Sequence, residues 1–188
     1  MMKRALTVVL SALLSVQAFA LFSETEPNNT RATADMVLYN LRNTPPYANV
    51  GVINLTLNDS DFFKIRLEAG DYLSVVVFPI GTPYFAPDTV IALFDETGDT
   101  ALTFNDDAPL GDSFGSALVW RADVSGDYYL AITGFHGFVG QDEIGYYEGA
   151  SHTQVGSYVL TVSVVPEPAS MLALGVGLVG LALRRRRR

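Results

Sequence analysis

Between residues 21 and 165, apolar and polar side chains alternate with a period of two, in short runs ended by Gly, Pro, Asn or Asp. That period puts successive side chains on opposite faces of an extended strand. In 61–67, Phe63, Ile65 and Leu67 alternate with Lys64 and Arg66, giving one apolar and one charged face. Ala69-Gly70-Asp71 then turns the chain into a second run at 72–78. In 157–165, Tyr158, Leu160, Val162 and Val164 share a face. The same reading gives strands at 50–55, 89–94, 100–104, 116–122 and 128–133, with a hairpin joint at Asp95-Glu96-Thr97-Gly98. No helical period of useful length interrupts them, and 30–36 is the single candidate for a helical turn. Eight short strands with turn-rich joints predict an all-β chain, an antiparallel β-sandwich or jelly roll.

The two ends follow other patterns. Lys3 and Arg4 precede an apolar stretch at 5–16 and the small-x-small site Ala18-Phe19-Ala20. This is the layout of a signal peptide, cut by signal peptidase before Leu21. At the other end, Pro166 and Pro168 flank Glu167; with φ fixed and two N–H donors missing, no strand or helix continues through them. An apolar run at 171–183 follows, then Arg184, Arg185, Arg186, Arg187 and Arg188. The run spans only ~20 Å as helix against a hydrocarbon core of ~30 Å. The arginines resist translocation and stay on the cytoplasmic side. A marginal transmembrane helix with a basic stop suits a handle that is held briefly and then cut; a short permanent anchor is the other reading. The order Pro-Glu-Pro, short helix, basic terminus resembles the PEP-CTERM sorting signal of bacteria. That resemblance implies recognition and removal by an exosortase, a membrane protease-transpeptidase, in a host that makes extracellular polysaccharide. The expected organisation is a signal peptide at 1–20, one domain at 21–165 and a sorting tail at 166–188.

Separating the ends changes the charge picture. The whole chain carries −8, but seven of its twelve basic residues lie in the two terminal segments. Residues 21–165 keep five basic side chains against nineteen acidic ones, a net charge of −14. Such a body repels nucleic acid and anionic lipid and attracts divalent cations. The absence of Cys removes disulfides, thiolate metal sites and cysteine nucleophiles.

A second resemblance runs through the body. Glu24-Thr25-Glu26-Pro27-Asn28-Asn29-Thr30 opens it. Asp59-Ser60-Asp61-Phe62-Phe63, Ala69-Gly70-Asp71-Tyr72-Leu73 and Leu93-Phe94-Asp95-Glu96-Thr97-Gly98 follow in order. Ser125-Gly126-Asp127-Tyr128-Tyr129-Leu130 and Tyr158-Val159-Leu160-Thr161-Val162 close it. This series resembles the bacterial pre-peptidase C-terminal (PPC) domain. The family implies a compact, non-catalytic β-sandwich that serves secreted proteases as an accessory or binding module. No protease precedes it in this sequence.

The acidic opening is the expected metal site. In an extended segment Glu24, Glu26 and Asn28 point to one side, and Asp59 and Asp61 share the same two-residue spacing. If the segments meet, five oxygen-bearing side chains surround one ion, which suits calcium. The resemblance supports that set, since related collagen-binding sandwiches use a similar segment for calcium. The alternative reading has Asn28, Asn29 and Thr30 capping a helical turn while Asp59 and Asp61 close a loop.

Asp106, Asp107 and Asp112, around Pro109 and Gly111, read as a solvated turn. The stretch 135–154 is long for a connection in a compact domain and holds His136, His152, Phe138, Tyr146 and Tyr147. Phe138, Tyr146 and Tyr147 are candidates for stacking on sugar rings; the alternative is that these aromatics cover one end of the sandwich. Two histidines sixteen positions apart do not make a metal signature. No Gly-x-Ser-x-Gly elbow, His-Glu-x-x-His motif or phosphate loop occurs, and no carboxylate pair is singled out by spacing, so no enzyme is expected. The expected function is adhesion, matrix organisation or glycan binding at the cell surface or in the exopolysaccharide. A purely structural surface protein is the first alternative and a polysaccharide hydrolase the second.

Overall fold

The structure is a computed structural model and describes residues 20–43, 47–82, 86–108 and 114–166. The predicted signal segment before residue 20, Asp112, Glu167, Pro168, the apolar run at 171–183 and Arg184 to Arg188 lie outside the described residues.

Among the described residues nine strands form two sheets. One has five strands, β1 (Ala20–Phe22), β2 (Ala48–Leu55), β9 (Gly156–Val165), β4 (Tyr72–Ile80) and β7 (Ser116–Arg121), in that spatial order. The other has four, β3 (Ser60–Leu67), β8 (Gly126–Gly134), β5 (Thr89–Asp95) and β6 (Thr103–Asn105). All eight expected strands are present. The additional one is β1, which pairs in parallel with β2 through Ala20↔Asn49 and Phe22↔Gly51; every other pairing between these strands is antiparallel.

The alternation read from the sequence decides what each sheet buries. Leu73, Val75 and Val77 of β4 and Tyr158, Leu160, Val162 and Val164 of β9 face Phe63, Ile65, Leu67, Leu130 and Ile132 across the inter-sheet space. Burying one such side chain contributes about 1.5–3 kcal/mol, so the stripe of period-two positions supplies most of the driving force for sheet-on-sheet packing. Gly51 leaves room for Phe22, whose ring lies 2.7 Å from where a Cβ would stand.

The four-stranded sheet is covered on its other face as well. Phe62, Val90, Ala92, Phe94, Tyr129 and Ala131 point away from the main core and pack under Tyr146 and Tyr147 of a one-turn helix, α1 (Ile144–Tyr147). This accounts for β5 and β8 being buried along nearly their whole length. The free edge of β3 is also covered, because Asp35 bridges to Phe63, with Asp35 N–H donating to Phe62 O and Lys64 N–H donating to Asp35 O. The expected turn at 30–36 is a 3-10 turn, Arg31–Thr33, capped by Thr30, and a second spans Leu41–Asn43. Among the described residues no helix is long and apolar enough to cross a membrane.

Candidate functional site

Asp61 is the second residue of β3 and has the same parity as Phe63, Ile65 and Leu67, so its carboxylate points into the end of the inter-sheet space. It is fully buried. Its Oδ2 accepts a hydrogen bond from the Tyr158 hydroxyl at 2.5 Å, while Oδ1 has no hydrogen-bond partner. Among the described residues no basic side chain forms an ion pair with it. A buried carboxylate without a cation is costly, so this end of the core is the place to look for chemistry.

The N-terminal segment brings two more carboxylates to it. Asn28 O accepts from Phe62 N–H at 3.0 Å, which lays residues 24–28 beside the start of β3. Glu24 Oε1 accepts from Asn54 N–H at 3.1 Å, and its Oε2 is buried and unpartnered. Glu26 Oε2 accepts from Asn28 N–H at 3.1 Å. One oxygen each from Glu24, Glu26 and Asp61 lie within 4.8 Å of one another. The Asn28 side chain is buried too, with neither its Oδ1 nor its Nδ2 hydrogen-bonded.

Electrostatics follows from that crowding. Burial pushes the Asp61 carboxyl well above the ordinary value of 3.8, and the neighbouring Glu24 and Asp59 charges raise it further. Glu24 is raised by burial, against the pull of the Asn54 N–H and of a hydrogen bond shared with the Asp61 carboxyl, with Glu26 and Asp59 adding repulsion. Glu26 is raised for the same two reasons, burial first. Three oxygen donors that repel one another, a buried amide oxygen without a partner and no sulfur or nitrogen ligand together fit a hard cation.

Asp59 stands differently from the expectation that it would share the site with Asp61. Its Oδ2 accepts from Thr56 N–H and Oγ1–H, each at 2.9 Å, and its Oδ1 from Asn29 Nδ2 at 2.8 Å and Ser60 N–H at 3.0 Å. It closes the β2–β3 turn, in which Asn58 takes the left-handed conformation at φ 57°. The two-residue spacing argument fails here because the turn, unlike a strand, does not alternate, and its N–H and hydroxyl groups take up both Asp59 oxygens. The loop-closing alternative thus holds for Asp59 and the capping one for Thr30, while Asp61 does neither.

The expected sugar-stacking residues are corrected in part. Tyr146 is 7% and Tyr147 0% exposed, because both rings pack on the outer face of the four-stranded sheet. Tyr147 O–H donates to Gln141 O at 3.0 Å and Tyr146 O–H to Gly137 O at 2.9 Å. Neither face is open to a ligand. Phe138 alone of the three stands in solvent, at 81% exposure. The histidines are packing residues too. His136 stacks on Tyr146 with centroids 3.8 Å apart, and buried His152 places Nε2 2.7 Å from Asp59 O. Gly134 is required where they meet, since a Cβ there would lie 2.6 Å from His152 Nδ1.

A cavity of about 430 Å³ lies at the opposite end of the sandwich, among Leu102, Trp120, Val124 and Tyr128. No pattern in the sequence joins its lining, which comes from two stretches, within 95–102 and 120–128, that meet only in the fold.

Pro166 ends the described chain directly after β9. The family model of the PEP-CTERM protein-sorting motif matches residues 164–187. The chain carries a PEP-CTERM sorting signal. This signal implies exosortase-dependent export and membrane-anchored sorting toward the cell surface. No curated protein matches the chain in sequence. Among solved structures it is similar to PliG of Aeromonas hydrophila, a periplasmic inhibitor of g-type lysozyme. There the identity is 13% and the TM-score 0.42, over 78% of this chain and 97% of that one. It is also similar to the pre-peptidase C-terminal domain of a Bacillus anthracis collagenase (12%, TM-score 0.41, 62% and 88%). A third is CorA, a surface-associated copper-binding protein of Methylomicrobium album BG8 (11%, TM-score 0.39, 79% and 100%).

Proposed function

We propose that this is a non-catalytic adhesive or binding protein of the cell surface or exopolysaccharide matrix, stabilised by calcium at the acidic end of its sandwich. The reading is supported above all by the meeting of Glu24, Glu26 and Asp61 near buried Asn28, where no amide, hydroxyl or basic group donates to Glu24 Oε2, Asp61 Oδ1 or Asn28 Oδ1. In it, Glu24, Glu26 and Asp61 supply carboxylate oxygens, Asn28 supplies its amide oxygen, and Asp59 holds the β2–β3 turn behind them. Calcium would neutralise carboxylates that otherwise repel and would tie residues 24–28 to β3. The sorting signal delivers the body to the surface, and its net negative charge keeps it from nucleic acid and anionic lipid. Extracellular polysaccharide or another surface component is the partner this placement calls for.

Thermal melting tests it. With calcium at a hundredfold excess over its Kd, bound ion contributes about 2.7 kcal/mol, a rise in Tm of about 5–10 °C for a domain of this size. EGTA reverses the rise, and Asp61→Asn abolishes it. An unchanged midpoint in the wild-type protein refutes the calcium assignment, and a failure to retain the host's own polymer in a pull-down refutes the matrix role separately.

A further inference from the structure

The cavity of about 430 Å³ among Leu102, Trp120 and Tyr128 plays no part in the calcium reading and lies at the other end of the sandwich. Strand backbone holds both of its rings. Trp120 is the penultimate residue of β7, and Tyr128 is the third of β8, its hydroxyl donating to Val124 O at 2.6 Å. Leu102 and Trp120 are half-buried and pack against the main core, so the cavity floor is an uncovered margin of that core. The volume is that of a small-molecule site, and two aromatic rings with a leucine suit a flat, partly apolar occupant.

Charge selects the occupant. Asp95, Glu96, Asp123 and Asp127 line the cavity, and no basic side chain does. From outside the lining, Lys64 and Arg66 pair with Asp127, and Arg121 pairs with Asp123. Asp95 and Glu96 have no ion pair among the described residues. Asp95 accepts from the N–H groups of Thr97 and Gly98, which keep it ionised. Carboxylates without a counter-charge beside aromatic rings favour an organic cation, whose charge meets the carboxylates while its body covers the rings. A uronate or a sulfated sugar is repelled. A wholly apolar ligand strands the carboxylates away from water. A neutral sugar stacks, but its hydroxyls offer those carboxylates little that water does not. A lone lysine stem is too slim to cover Leu102, Trp120 and Tyr128 together, whereas a sugar ring that carries the amine covers them.

We infer that this cavity binds an amine-bearing sugar unit of an extracellular polysaccharide. The inference rests on the matrix role proposed above and names the chemistry of the polymer.

Trp120 is the only tryptophan of the chain, so its fluorescence reports occupancy of this cavity directly. The full-length chain is titrated at about pH 5.5, where a sugar amine carries its proton and carboxylates of ordinary or lowered pKa stay ionised. The probes are a glucosamine oligomer, its N-acetylated form, a uronic acid oligomer and a lysine peptide of similar length. The glucosamine oligomer is expected to give a saturable change, with a Kd roughly tenfold below that of the N-acetylated form and rising with salt. Glu96→Gln should raise that Kd roughly threefold and Glu96→Lys roughly tenfold, by removing and then reversing one rim charge. Glu96 is exposed on the loop after β5, so both variants keep the fold. No change in fluorescence, equal binding of the N-acetylated or uronic acid oligomer, or an unaltered Kd in Glu96→Lys overturns the inference. So does tighter binding of the lysine peptide, which makes the partner a basic protein. The pull-down with the host's own polymer separates this outcome from the matrix role. Polymer retained equally by wild type and Glu96→Lys leaves the matrix role standing and overturns the assignment of the cavity.

Discussion

Asp61 shows how a single position concentrates the chemistry of this chain. Its folded-state pKa lies above the unfolded value of 3.8, so the metal-free fold binds more protons than the unfolded chain. Its contribution to stability is therefore fully present below about pH 4 and is lost as pH rises through the raised folded value. Asp88, pushed to about 6 by burial and by Asp106 and Asp107, acts in the same direction between roughly pH 4 and 6. Asp95 and Asp127 act oppositely, because hydrogen bonds from Gly98 N–H and Lys64 hold them low and their contribution is lost on acidification. The informative comparison is thus between proteins. In EGTA, Asp61→Asn is expected to melt higher than wild type at pH 8 and to gain less on going to pH 5, as read by calorimetry at both pH values. Parity read from Phe63, Ile65 and Leu67 already puts residue 61 on the inward face. What the sequence could not reveal is that Thr56, Asn29 and Ser60 engage the Asp59 carboxylate within the turn, since alternation says nothing about how a turn folds before its strand.

At the scale of elements, the connection between β8 and β9 is a structural cover. Truncating Tyr147 to Ala is expected to cost about 3–5 kcal/mol, read by urea unfolding, because it removes a buried ring from contact with Phe94 at 5.5 Å. Phe138→Ala should change stability by less than about 0.5 kcal/mol, since its ring contacts Phe135 and otherwise water. If Tyr147→Ala were neutral, the second core would not be cooperative with the first. This cover was hard to read in advance because four helical residues carry no period. Two adjacent tyrosines look alike whether they are buried or displayed. The strands were legible for the opposite reason: all but β1 and β6 are long enough to repeat their alternation at least twice. The one missed, β1, has three residues and a parallel partner, and neither leaves a pattern.

For the whole molecule, the order of elements predicts that folding and sorting separate. The last described strand ends at Val165, and the sorting motif matches residues 164–187, sharing only Val164 and Val165 with it. A chain ending after Pro166 is expected to keep the wild-type Tm, and to be recovered in the medium or periplasm instead of with the cell surface. Fractionation and calorimetry on the same preparation check both parts. A lowered Tm would mean that the tail belongs to the fold.

The tail is joined to β9, which lies between β2 and β4 and is hydrogen-bonded to both. Tension applied through residue 166 therefore runs along a strand clamped on its two sides, and it loads those ladders in shear, many bonds at once, instead of unzipping them singly. A tether attached to an edge strand such as β7 would peel. Pulling single molecules from the C-terminus should accordingly give a higher rupture force than pulling from a handle inserted after Arg121, so that whatever grips this protein by its end grips it where it resists flow and drag best.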